Sequence, residues 1–365
     1  MAKLTMMEHI EDTARVLQRA FDEREEYGKD FIDFMVKNDI KKIYFTGSGT
    51  SYNAMRVIRN MFVELLHVEG IAIEPNVFTY SESINPSGIF SNDQILVIGL
   101  TQHGDSLSTC QALQKASKEG YKTVGISEKL ATPITKITDH YVHLVCEEEQ
   151  VGPETRGYTE VLLQFYLLAL EISKKKQIIS EKEYLKLNED AKELISNFNT
   201  VVQESIAWYQ QQKDELIQMK KSSIAGYGYN LPTAQEARLK FFETFARPST
   251  AYEQEEQLHG PLRAYDEDNY IFLIGGNDGP ELERMEDIAA YYRRAYSEHV
   301  FVVSGEDFAT TKKDLKFSVK TTPLLSPIYH IVPFQVLSAK LSEAVGIDTS
   351  VNPVTDRSIS GHMGV

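Results

Sequence analysis

Apolar residues fall into two spacings along the chain. Over residues 1–38, Ile10, Ala14, Leu17 and Phe21 recur at helical intervals, which predicts a leading helical segment. The pattern then tightens into the unbroken run Ile43-Tyr44-Phe45, which ends in Gly47-Ser48-Gly49-Thr50-Ser51, and helical spacing resumes with Ala54, Val57, Ile58, Met61 and Leu65. Strand, glycine turn and helix are predicted in that order. The unit repeats with a strand at Ile95 to Leu100, the loop Thr101-Gln102-His103-Gly104-Asp105-Ser106 and a helix carrying Leu107, Ala112 and Leu113. Strands at Thr123 to Ile126 and Tyr141 to Val145 follow, and Val161 to Ile172 reads as a buried helix interrupted by Gln164. Runs without alternation are what strands covered on both faces require, so the first half is expected to be a doubly wound, mainly parallel α/β sheet.

The second half repeats the plan. Ser223 to Tyr227 leads into Gly226-Tyr227-Gly228-Tyr229-Asn230 and a helix with Ala234, Ala237, Phe241 and Phe245. Further strands are predicted at Tyr270 to Ile274 and Val300 to Val303, and Ile43 with Ile224, Ile95 with Tyr270 and Val142 with Phe317 stand at near-equal offsets. Between the halves, Lys174-Lys175-Lys176 and the charged stretch Ser180 to Gln212 read as a solvated connecting helix. The expected domains are 39–199 and 200–350, with a tail at 351–365.

Composition changes this picture in three ways. A net charge of −15 is the wrong sign for a nucleic-acid or anionic-membrane surface, so any anionic ligand must be held by local geometry. Cys110 and Cys146 are the only cysteines, too few for a disulfide framework or a thiolate metal site, and His and carboxylate residues show no ligand spacing; no metal or cofactor is expected. Glu8, Glu11 and Asp12 interrupt the N-terminal apolar positions, and Val161 to Ile172 is too short to span a bilayer, so a cytoplasmic protein is expected.

The candidate chemistry lies in the glycine turns. A turn that opens a helix directs free backbone N–H groups and the positive end of the helix dipole at one point, where a phosphate fits. Ser48, Thr50 and Ser51 add hydroxyls at the first turn, and Thr101 and Ser106 at the second; glycine and serine also simply make turns and caps. The second glycine element of a dinucleotide fingerprint and the Gly-Lys-Ser/Thr of a Walker loop are both absent, which disfavours nucleotides.

Gly47 to Asn53 and Leu100 to Ser106 resemble the paired sugar-phosphate loops in the isomerase domain of the glucosamine-6-phosphate synthase family, built from tandem sugar-isomerase (SIS) domains. Gly226-Tyr227-Gly228 through Pro232, then Glu236, Lys240 and Glu243, Ala251-Tyr252 and His259-Gly260-Pro261-Leu262 follow the same family's spacing. The resemblance implies that Thr50, Ser51, Thr101, Gln102 and Ser106, beside Ser48, bind the phosphate of a small phosphosugar. It also implies that Glu243 moves a proton between C1 and C2, that His259 helps open the sugar ring from a neighbouring subunit, and hence that the protein is a homodimer or higher homo-oligomer.

Three departures narrow the expectation. The chain begins Met1-Ala2-Lys3 where the family has a glutaminase with an N-terminal cysteine, and Arg357 stands near the position of the family's ketose-capturing lysine, which an arginine cannot replace as a nucleophile. Gly152-Pro153-Glu154-Thr155-Arg156 replaces small residues and a lysine; Glu154 and Arg156 either contact an amino-acid portion of the substrate or form a surface ion pair. These changes suit a fructosamine 6-phosphate deglycase. An aminosugar-phosphate isomerase or deaminase, a glutaminase-less aminotransferase and a non-catalytic phosphosugar sensor are the alternatives.

Overall fold

The computed structural model describes residues 4–308, 310–351 and 361. Its strands are β1 (Lys42–Gly47), β2 (Glu69–Ile73), β3 (Ile95–Leu100), β4 (Lys122–Ser127), β5 (His140–His143), β6 (Lys221–Gly226), β7 (Ser249–Glu253), β8 (Asn269–Gly275), β9 (Val300–Ser304) and β10 (Leu315–Lys316). They form two five-stranded sheets, ordered β2-β1-β3-β4-β5 and, read from the β7 edge, β7-β6-β8-β9-β10. Every pairing is parallel. The same order therefore occurs twice, as the offsets in the sequence predicted.

The chain divides into two compact units. One consists of Arg15–Glu149 and Arg156–Lys192 and holds β1 to β5; the other consists of the residues up to Ala14, Gln150–Thr155 and Glu193–Val351 and holds β6 to β10. All six residues of β3 and all seven of β8 are buried, as central strands covered by helices on both faces must be. In the first unit the core runs through aromatic contacts: Phe62 of the helix Thr50–Leu66 meets Phe45 edge-on at 5.5 Å, and Phe31 and Phe165 pack beside it at 6.4 and 6.2 Å. The leading segment is thus three helices, Met6–Asp22, Arg24–Tyr27 and Lys29–Lys37, and the last is part of this core.

The connecting segment differs from its expected solvated form. It is one helix, Glu181–Leu216, continuous across residue 200, and Tyr184, Ala191, Leu194, Phe198, Val201, Trp208 and Tyr209 are buried along it. The charged residues occupy the other face, while Trp208 Nε1 donates to the Lys313 carbonyl at 2.8 Å. The buried helix expected at Val161 to Ile172 is Arg156–Lys175, and Gln164 is no break in it. Its amide donates to the His143 carbonyl at 2.7 Å and accepts from Val145 N–H at 3.2 Å, serving the backbone just past β5. No helix among the described residues is long and apolar enough to cross a membrane.

One buried group sets a pH dependence. The Glu160 carboxyl is fully buried and neither oxygen meets a hydrogen-bond donor among the described residues. Burial raises its pKa well above 4.5, against the opposing charges of Arg19 and Arg156. Above the ordinary glutamate range the unfolded chain has released this proton while the folded chain keeps it, so this group's contribution falls as pH rises toward the folded-state value. Glu160→Met is expected to raise the melting temperature at about pH 8 by an amount equivalent to roughly 1–3 kcal/mol, with the gain shrinking toward about pH 5. Thermal melts across that range check this; identical pH slopes for both proteins would refute it.

Candidate active site

The first cluster stands at the C-terminal ends of β1 and β3, neighbours in the sheet whose outward connections diverge, the crevice where open α/β sheets bind ligands. After β1 the chain turns through Gly49 at φ 58 and ψ −127 and enters the helix at Thr50. That backbone is open only to glycine, and it brings Thr50 and Ser51 into the first helical turn. Gly49→Ala is expected to lower stability by about 1–3 kcal/mol, read as a lower urea midpoint with an unchanged slope.

The second turn is closed by its own side chains. Thr101 Oγ1 accepts from Ser106 N–H at 3.4 Å, Ser106 Oγ accepts from Thr109 Oγ1 at 3.2 Å, and the helix Leu107–Lys118 starts there. Ser48 Oγ lies 3.1 Å from Ser108 Oγ, which ties the two turns together. Leu107 N–H donates to the Gly361 carbonyl at 2.8 Å. Gln102 is half-buried, and its amide donates to Cys146 Sγ at 3.1 Å. Ser48, Thr50, Ser51, Thr101, Gln102 and Ser106 thus all belong to one pair of loops in one unit.

The corresponding turn of the other unit is built differently. Asn230, buried after Gly226-Tyr227-Gly228-Tyr229, donates to Ser326 Oγ at 2.7 Å and accepts from Thr233 Oγ1 at 3.1 Å. Protein side chains occupy this turn, where the first unit presents hydroxyls.

The helix Leu231–Thr244 leaves that turn and carries the second cluster. Glu236, Lys240 and Glu243 follow at i, i+4 and i+7, one helical face. Lys240 Nζ stands 2.6 Å from Glu243 Oε2 and 3.4 Å from Glu236 Oε1; Lys240 and Glu236 are 1% exposed and the Glu243 side chain 36%. Burial alone would drive the Lys240 ammonium toward neutrality, but Glu243 and Glu236, with a smaller contribution from Glu154, more than offset it and hold its pKa above the ordinary lysine value. Glu243 is therefore fixed by a permanently charged neighbour while keeping one edge open to solvent. Glu154 belongs to the same unit, on a segment anchored where Gln335 Nε2, from the helix Val332–Val345, donates to the Thr155 carbonyl at 2.9 Å.

The remaining predicted residues are His259, Arg156 and Arg357. His259 is exposed in the loop after β7, within electrostatic reach of Glu255. Arg156 is 2% exposed, and its guanidinium donates to the carbonyls of Glu147 and Glu148 at 3.3 and 3.2 Å, which corrects the surface location considered for it. Arg357 lies outside the described residues. Sequence reasoning passed over Lys240 as a site residue, although the Glu-x-x-x-Lys-x-x-Glu spacing was the signal for it. Cys146 carried no such signal.

Comparison with known proteins fits this architecture. Residues 38–171 match the SIS domain family. The chain is 26% identical over 326 residues to the glutamine–fructose-6-phosphate aminotransferase (isomerizing) of Chlorobaculum tepidum, covering 85% of this chain and 49% of that protein; it spans about half the length of the curated relatives it matches. Among solved structures it is similar to a candidate phosphosugar isomerase from Clostridium difficile 630, with a TM-score of 0.86, 28% identity and 96% of each chain covered. The C-terminal domain of glucosamine-fructose-6-phosphate aminotransferase from Francisella tularensis shares the fold at a TM-score of 0.80 and 19% identity, over 95% of this chain and 98% of that one. Residues 38–171 thus match a SIS domain, and the second sheet repeats the strand order of the sheet that this domain contains.

Proposed function

We propose that the protein is a phosphosugar enzyme that acts on a fructosamine 6-phosphate, releasing glucose 6-phosphate and an amine. The observation that carries this reading is the Glu243 carboxylate, partly open to solvent and held at 2.6 Å by a buried ammonium. Moving a carbonyl between adjacent carbons needs one base that takes a proton and returns it, and a carboxylate fixed in one place suits that task. The hydroxyls and helix-opening amides at Ser48, Thr50, Ser51, Thr101 and Ser106 suit a phosphate without local Lys or Arg, which fits the acidic chain. The names of the similar proteins, an aminotransferase acting on fructose 6-phosphate and a candidate phosphosugar isomerase, support the sugar-phosphate class.

The amine portion rests on charge. Glu154, Glu236 and Glu243 all lie within electrostatic reach of the Lys240 ammonium, an acidic setting that suits a substrate arriving as a cationic amine. Arg357, where the resemblance implies a ketose-capturing lysine, agrees with a substrate whose nitrogen is already attached. In this reading Glu243 takes the proton from C1 of the ketoamine and returns it to C2, while the amine N–H proton passes to the C2 oxygen, leaving a C1 imine beside a C2 hydroxyl. Water adds across that imine and the amine departs, with Glu243 back in its starting state. His259 serves ring opening, for which an imidazole can accept or donate a proton near neutral pH.

The test is incubation of the full chain with fructoselysine 6-phosphate, reading glucose 6-phosphate through a coupled dehydrogenase. Turnover that is lost in Glu243→Gln and reduced in His259→Ala supports the reading. No turnover, with ammonia released from glucosamine 6-phosphate instead, would replace it by a deaminase, and binding of fructose 6-phosphate without any turnover would replace it by a sensor.

A further inference from the structure

Gln102 is fixed by more than its own loop. Its carbonyl accepts from Glu128 N–H at 2.9 Å, and its side-chain nitrogen stands 3.1 Å from the sulfur of Cys146, a fully buried residue in the segment after β5. Close to the same amide is Gly157, in the first turn of the helix Arg156–Lys175, whose N–H donates to Glu149 Oε1 at 2.8 Å. A Cβ at position 157 would come within 2.8 Å of Gln102 Nε2 and 3.3 Å of its Cδ. The amide is therefore held by a sulfur and occupies space that a side chain at position 157 would fill. One of its two N–H groups is used on Cys146, which leaves the other for a ligand.

We infer that Cys146 and Gly157 are positioning residues for sugar-phosphate binding, acting through the Gln102 amide, which they hold in its bound orientation before the ligand arrives. The inference rests on the reading of the loops as a phosphosugar site. A hydrogen-bonding side chain held ready in this way loses less freedom on binding than one that must be ordered by the ligand. Both residues also separate this role from a plain packing role. The atom that a Cβ at position 157 would strike is the far end of a flexible side chain, so Ala there displaces the Gln102 amide, while Ala is intrinsically better than Gly in a helix.

Calorimetric titration of the full chain with fructose 6-phosphate tests this. Gly157→Ala and Cys146→Ala are each expected to raise Kd roughly three- to tenfold, the scale of one hydrogen bond. Gly157→Ala should keep or slightly raise the melting temperature, and Cys146→Ser, which preserves a hydrogen-bonding atom, should stay within about twofold of the wild type. Neither Ala substitution should weaken binding further in a Gln102→Ala background. If Gln102→Ala weakens binding but Gly157→Ala and Cys146→Ala do not, or if their effects add to it, the positioning role is wrong and the loop reading stands. If Gln102→Ala, Ser51→Ala and Thr101→Val all leave fructose 6-phosphate binding unchanged, the underlying reading of the loops fails. Should Cys146→Ala not fold, Gly157→Ala and Cys146→Ser carry the same distinction.

Discussion

Replacing Glu243 by Gln is expected to lower turnover of a fructosamine 6-phosphate by about 10²- to 10⁴-fold, the usual worth of a positioned general base, with sugar-phosphate affinity within about twofold. The amide has nearly the shape of the carboxylate but cannot take the C1 proton. Stability should change little, because Glu243 is the partly exposed member of its ion set and Lys240 retains Glu236. Glu243→Asp should fall between, since a shorter side chain keeps the base but withdraws it from the two carbons. Steady-state rates with calorimetric affinities check both variants. Turnover in Glu243→Gln within about threefold of the wild type would remove Glu243 from the chemistry.

Lys240→Met is expected to be the most destabilising single change in the site, by about 3–5 kcal/mol in urea unfolding. The cost comes from what remains. Glu236 is 1% exposed, and without the ammonium its carboxylate is left buried beside Glu243. An apolar pair leaves no buried charge at these two positions, so adding Glu236→Leu to Lys240→Met should recover most of the loss. Because the folded-state pKa of Lys240 lies above its unfolded value, the stabilisation that the ion set provides is fully present below the ordinary lysine range and is lost only as pH rises through that higher value. If Lys240→Met cost under about 1 kcal/mol, Glu236 could not be charged and buried as described.

How far the fold could be read from the sequence follows from burial. The central strands β1, β3 and β8 carry unbroken apolar runs because helices cover both faces, whereas β6, Lys-Ser-Ser-Ile-Ala-Gly, is buried largely through small residues; each was predicted within a few residues. The edge strands β2 and β7 were missed because Glu-Gly-Ile-Ala-Ile and Ser-Thr-Ala-Tyr-Glu are short and only partly buried, so they need no apolar run. The helix Glu181–Leu216 was misread because its charged and polar residues together outnumber its apolar ones; the buried stripe through Leu194, Phe198, Val201 and Trp208 was present at helical spacing.

The site divides in the same way. The glycine and hydroxyl turns could be read locally, since both the strained backbone and the helix start are written within a few residues. Glu236, Lys240 and Glu243 share a face by spacing alone. Three features depend on tertiary contacts that no local pattern encodes: the action of Glu154 on Lys240, the Cys146 contact to Gln102, and the burial of Arg156, a residue type seldom enclosed.

The most direct test of the account is product analysis after the full chain is incubated with fructoselysine 6-phosphate. One glucose 6-phosphate and one free lysine per substrate consumed, with no ammonia and no products from Glu243→Gln, is the predicted result. Substrate recovered intact while glucosamine 6-phosphate is deaminated, or products formed equally well by Glu243→Gln, would contradict it.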